Sequence, residues 1–141
     1  MSKMNPVVHF ELPAENRKRM TDFYSTAFGW KTEQFGPEMG EYVLVTTSEV
    51  GEDYFPKQIG KINGDFYQKT EDPVSNHPSV VISVDDINES IEKVNKADGK
   101  VLGVNTNKPG EPGDISGVGL YCVFIDTEGH CVSMLQPSAE M

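Results

Sequence analysis

The stretch VVHFELPAENRKRMTDFYSTAFGW, residues 7–30, decides how the rest of the chain is read. Residues 6–12 are rich in Val, Phe and Leu with His9 and Glu11 interleaved, the pattern of a strand. Pro13-Ala14-Glu15-Asn16 breaks it. Met20, Phe23, Tyr24, Ala27 and Phe28 then recur at helical spacing, with Arg17, Lys18, Arg19 and Asp22 on the other side. Gly29 supplies the helix stop, because a left-handed residue after the last turn costs glycine least. The unit is strand, bend, amphipathic helix, glycine, and its one histidine raises the question of a metal ion.

Working outward, residues 30–35 and 41–47 read as strands around a Gly/Pro-rich turn. A polar stretch at 48–53 leads to a fourth strand or strand pair at 55–68. The second half repeats this plan. SVVISV at 79–84 is a strand, Asp86 with Glu89 makes a capping box, and Ile87, Ile91 and Val94 form an apolar stripe that Gly99 ends. Shifting the sequence by 70 residues lays His9 on Ser79, Leu12 on Ile82, Glu15 on Asp85 and Gly29 on Gly99. The expectation is an α+β domain over 1–141 made of two βαβββ modules. Module one covers about 5–68, a polar linker 69–78, and module two about 79–136. The segment 104–119, rich in glycine and proline, reads as a long irregular loop of the kind used in binding. The last two strands, 120–125 and 130–135, flank the turn Asp126-Thr127-Glu128-Gly129.

Composition narrows the partners. The chain has 141 residues, is 37% hydrophobic, and sets 12 Lys+Arg against 22 Asp+Glu for a formal charge of -10. That balance opposes nucleic-acid phosphates and anionic membranes and favours a neutral or cationic ligand. No apolar run approaches the roughly 20 residues that span a bilayer. The N-terminal residues lack an apolar core and cleavage site, and two cysteines do not make a disulfide framework, so the expected location is the cytoplasm. Dinucleotide, P-loop and nucleophile-elbow motifs are missing, leaving nucleotide cofactors and serine hydrolysis without support.

HFELPAEN…FYSTAFGW, followed by SVVISVDDI and IDTEGHCVSMLQP, resembles the vicinal oxygen chelate superfamily, and within it the glyoxalase-like or bleomycin-resistance-like domains. The resemblance spans nearly the whole chain. It implies two βαβββ modules pairing into a cavity-enclosing curved sheet, often in a homodimer. In the metal-dependent members it implies a divalent ion held by two residues from the modules' first strands and two from their last strands. Carried over, the first-strand positions are His9 and Ser79, and the last-strand position of module two is Ser133. The last-strand position of module one is Asp65 if Gln68 matches Gln136, or Gly64 after a one-residue slip.

Serine hydroxyls are poor ligands for Zn, Ni, Mn or Fe, and an open site normally retains three protein ligands. The expectation is therefore no bound cofactor, a divalent metal resting on His9 and Asp65 if any. His77 and His130 read as exposed polar residues in the linker and the hairpin turn. Strand parity places Glu11 beside His9 as a candidate acid–base pair. It gives Asp65, Tyr67, Ser79 and Val81 as cavity-lining residues. If Ile125 pairs with His130, Cys122, Phe124, Cys131 and Ser133 share a face, and the first two and Ser133 join that lining.

Two readings follow, with a ligand-free scaffold as a weaker third. One is a metal-independent module binding a small, partly aromatic or cationic molecule as a homodimer. The other is a lyase, isomerase or dioxygenase of the superfamily, lactoylglutathione lyase-like, with an altered ligand set around His9.

Overall fold

The computed structural model describes residues 4–37, 42–52, 57, 60–71, 76–102, 110–115 and 118–138. The chain divides into two compact units, one of residues His9–Pro78 and one of Met1–Val8 with Ser79–Met141.

In the first unit the order is β1 (Val7–Ala14, mostly in this unit), α1 (Arg17–Phe28), β2 (Lys31–Gln34), β3 (Val43–Thr46) and β4 (Asn63–Gln68). The strands lie side by side as β2-β3-β4-β1, with β1 and β4 parallel and the rest antiparallel. Helix α1 starts at Asn16, whose side chain accepts the Arg19 N–H at 2.9 Å. It ends at Gly29, left-handed at φ 74°, whose N–H returns to the Ser25 carbonyl. Three cations and no acid occupy its first turn, against the helix dipole, so tertiary packing must hold it. Met20 and Tyr24 supply that packing, joining Phe10, Leu12 and Trp30 around the buried Val43, Val45 and Phe66. Phe23 and Phe28, expected in the same stripe, are instead 58% and 64% exposed, their rings packed edge-on against each other. Gly64 sits under the Phe10 ring, where a Cβ would approach its carbons to 2.4 Å. The proposed fourth strand begins only at Asn63; residues 53–56 and 58–59 lie outside the described residues.

The second unit holds β5 (Ser79–Ser83), α2 (Ile87–Lys96), β6 (Lys100–Val101), β7 (Gly113–Ile115), β8 (Gly119–Ile125) and β9 (Cys131–Pro137). Its order β5-β9-β8-β6 repeats that of the first unit, with β5 and β9 parallel and β7 added against β8. Thus part of 104–119 is a strand rather than an irregular loop; residues 103–109 and 116–117 lie outside the described residues. Asp86 caps α2 through the Asn88 and Glu89 N–H groups, and Ile87, Ile91 and Val94 pack with Val84, Cys122 and Met134. The helix stops earlier than the glycine suggested: Asp98, not Gly99, takes the left-handed turn at φ 70°. Gly99 is required for closeness, since a Cβ there would meet Val94 at 2.7 Å.

A glutamine near the end of the last strand bonds the backbone near the helix start in each unit, as donor in one and acceptor in the other. Gln68 Nε2 donates to the Glu15 carbonyl at 3.1 Å, and Gln136 Oε1 accepts the Ile87 N–H at 2.9 Å. Each glutamine ties the last strand of its module to the start of that module's helix. No helix among the described residues is long and apolar enough to cross a membrane.

Candidate functional site

The β1–β4 ladder sets His9 beside Asn63 and Glu11 beside Asp65. Residues opposite one another in a ladder share a face. Leu44 pairs with Asp65, and Glu33 with Leu44, which extends that face across β3 and β2. One side of the sheet therefore carries His9, Glu11, Glu33, Asn63 and Asp65, while Phe10, Leu12, Val43, Val45 and Phe66 form the core under α1. Gly64 faces that core, so the register assigns the last-strand position of module one to Asp65. The same register in module two pairs Val81 with Ser133, as Glu11 with Asp65.

His9 Nε2 and Asp65 Oδ2 are 2.9 Å apart, and Asp65 is only 8% exposed. Tyr42, just before β3, carries a hydroxyl pKa raised above its ordinary 10.0, first by burial and then by the charges of Asp65 and Glu33. Burial, with the carboxylates of Asp65 and Glu33, thus disfavours a negative charge at Tyr42. Asn63, also 8% exposed, accepts the Thr47 N–H at 2.7 Å and the Ser48 N–H at 3.2 Å through Oδ1. Asn63 Nδ2, Asp65 Oδ1 and Ser48 Oγ are buried with no hydrogen-bond partner among the described residues. Buried polar atoms are nearly always paired, so three such atoms at and beside the start of β4 make this face the candidate site.

Module two presents a different surface at the matching positions. Ser79 Oγ donates to the Cys131 carbonyl at 2.9 Å. Ser133 Oγ lies 2.5 Å from the Tyr121 hydroxyl, and Val81 is buried. Two expectations are corrected here. Cys122 and Phe124 do not share the Ser133 face: Cys122 is fully buried in the core under α2, and Phe124 packs against that core. The cause is the hairpin. Ile125 pairs with Cys131, not His130, because Asp126 and His130 close the turn and leave a three-residue loop with Gly129 at φ 88°. Asp126 Oδ1 accepts the Glu128 and His130 N–H groups, and its Oδ2 meets His130 Nδ1 at 3.0 Å. These bonds hold the Asp126 carboxyl below its usual range, the backbone bond from His130 first. His130 is exposed, as expected, and His77 offers its carbonyl to the Tyr67 hydroxyl at 3.1 Å.

Sequence reasoning missed Asn63 and Tyr42. Counting back two residues from Asp65 gives Asn63, and counting back two from Leu44 gives Tyr42, so parity held the signal once the register was known. An open groove of about 510 Å³ lies elsewhere in this unit, lined by Pro13, Asn16, Arg19, Met20, Phe23 and Lys69. It contains none of the polar groups of the β1–β4 face, so we place the site at the latter.

Residues 7–48 match the family model described as Bleomycin resistance protein-like N-terminal. No curated protein sequence matches the chain. A hypothetical protein of Bacillus halodurans C-125 has a similar structure, at a TM-score of 0.67 and 15% identity over 99% of each chain. Methylmalonyl-CoA epimerase, in complex with methylmalonyl-CoA and NH4+, is similar at 0.67 and 12% over 97% of each chain. A glyoxalase/bleomycin resistance protein/dioxygenase superfamily member from Vibrio splendidus 12B01 gives 0.58 and 17%, over 94% of this chain and 99% of that one.

Proposed function

We propose that this chain, whose fold is that of the vicinal oxygen chelate superfamily, binds a small neutral or cationic molecule on the polar face of module one. His9, Glu11 and Asp65 are its recognition groups. The observation that carries this reading is the His9–Asp65 pair at 2.9 Å on a face that also bears Glu11 and Glu33. An anionic group approaching there meets carboxylates before it meets a donor, whereas a cation or a neutral donor gains.

The residues present do not fit the metal quartet that the superfamily resemblance implies. Two of its positions carry the hydroxyls of Ser79 and Ser133, each already engaged in a hydrogen bond within its own module. Neutral hydroxyls are weak donors to divalent ions, and the two remaining groups, His9 and Asp65, bond to one another. We therefore derive no step through a metal. With Nε2–H donating to Asp65, His9 Nδ1 is left as an acceptor, which suits a ligand hydroxyl or N–H.

The His9–Asp65 pair also supports a second reading, catalysis by proton transfer, since a carboxylate that fixes an imidazole tautomer is the usual arrangement of a general base. Homodimer assembly belongs to both readings, and light scattering of the purified chain tests it.

The deciding experiment combines elemental mass spectrometry with ligand titration. After stripping and reloading with Zn, Ni, Mn and Fe(II), the chain is expected to retain well under one ion per chain. A cationic aromatic probe, benzamidine, is expected to raise the melting temperature, and Asp65→Asn to abolish that rise. Near-stoichiometric metal that disappears in His9→Ala would overturn the metal-free reading and turn the search to lyase, isomerase and dioxygenase substrates.

A further inference from the structure

We infer that Asn63 and Asp65 form a donor–acceptor clamp for a carboxamide group, a conclusion that rests on module one's polar face being the ligand site. Asn63 Oδ1 is held by two backbone N–H groups, from Thr47 and Ser48. That fixes the amide's orientation, because the opposite flip would set two donors against two donors. The Nδ2 edge therefore points away from the turn, buried and without an acceptor. Two residues along the same face, Asp65 gives Oδ2 to His9 and keeps Oδ1 buried and without a donor. The strand spaces these residues by about 6.8 Å. One face thus holds a donor lacking an acceptor and an acceptor lacking a donor, with each residue more than nine-tenths buried.

A carboxamide answers both, since its carbonyl oxygen and N–H stand on neighbouring atoms. The carbonyl accepts from Asn63 Nδ2 and the N–H donates to Asp65 Oδ1. A carboxylate of equal shape brings only acceptors and sets a negative charge against Asp65. An amidine brings only donors and leaves Asn63 Nδ2 unpaired. Both atoms are closed to solvent in the conformation described, so entry of the ligand requires neighbouring side chains to shift. Module two has no counterpart: the positions of Asn63 and Asp65 are taken by Cys131 and Ser133, and the Ser133 hydroxyl is bonded to Tyr121.

The test uses three probes of one shape, benzamide, benzamidine and benzoate, titrated into 15N-labelled protein. The side-chain amide pair of Asn63 serves as the reporter. Benzamide is expected to shift that pair and to bind about tenfold more tightly than either isostere, one hydrogen bond's worth of discrimination. Asn63→Asp keeps Oδ1 and its two backbone bonds while replacing the donor edge by an oxygen. It is expected to keep the backbone amide spectrum, to lose about tenfold affinity for benzamide, and to prefer benzamidine. Benzamide that perturbs His9 and Asp65 but leaves the Asn63 pair unmoved would overturn the clamp and leave the binding face intact. Equal affinity for benzamide and benzamidine in the wild type would do the same. Failure of all three probes to bind would sink both conclusions. Should Asn63→Asp not fold, the Asn63 signal in the wild type still decides.

Discussion

The two modules share strand order, register and the glutamine bond from last strand to helix, yet they differ on one face. Where module one sets Glu11 against Asp65, module two sets Val81 against Ser133. Where His9 reaches across to a carboxylate, Ser79 satisfies itself on a backbone carbonyl. Among the described residues, the three buried side-chain polar atoms without a partner all fall in module one, while the Ser133 hydroxyl of module two is paired. The frame is common to both modules, and the residues on this face are where they differ. The positions one residue along differ as well. Module one pairs a large Phe10 with Gly64, and the matching positions of module two are Val80 and Val132.

Exchanging residues between matched positions tests this contrast. The largest effect is expected from Val81→Glu, which buries a carboxylate opposite Ser133, whose hydroxyl is already bonded to Tyr121, and should cost about 3 kcal/mol in urea unfolding. The reverse change, Glu11→Val, should stay within about 1 kcal/mol; equal costs in both directions would mean that the two faces are not specialised. Gly64→Ala should cost about 1–3 kcal/mol by driving a methyl into Phe10, and adding Phe10→Val should recover most of it. If the second change recovers nothing, the contact with Phe10 is not what keeps position 64 a glycine. Asp65→Asn replaces the charged acceptor of the His9 bond by a neutral amide oxygen and should lower stability by about 1–2 kcal/mol. The smallest signal is in alkali. The Tyr42 pKa is raised in the folded chain, so its contribution is present below 10.0 and lost as pH rises beyond it. Absorbance at 295 nm should show a late-titrating component that is lost in Tyr42→Phe and moved down by Asp65→Asn.

Much of this frame could be read from the residues. Period-2 and period-3.6 patterns located both first strands and both helices, because those segments bury one side against a core. What escaped was set by single local interactions. The pairing of Ile125 depends on Asp126 capping its own turn, and a one-residue difference there moved Cys122 and Phe124 to the opposite face. The left-handed stop of α2 fell on Asp98 because Gly99 was needed for its close approach to Val94. The parity of His9, Glu11 and Asp65 was readable, and so was the weakness of Ser79 and Ser133 as ligands. Asn63 was not, since its importance lies in which amide edge the Thr47 and Ser48 N–H groups occupy, a fact of three dimensions.

The bond from Gln68 to the Glu15 carbonyl and from Gln136 to the Ile87 N–H has one more consequence. In each module it joins segments about fifty residues apart, 53 in the first and 49 in the second, so the closing tie of a module is made entirely from its own chain. A gene segment encoding one module therefore carries the instructions for its own closure when it is copied.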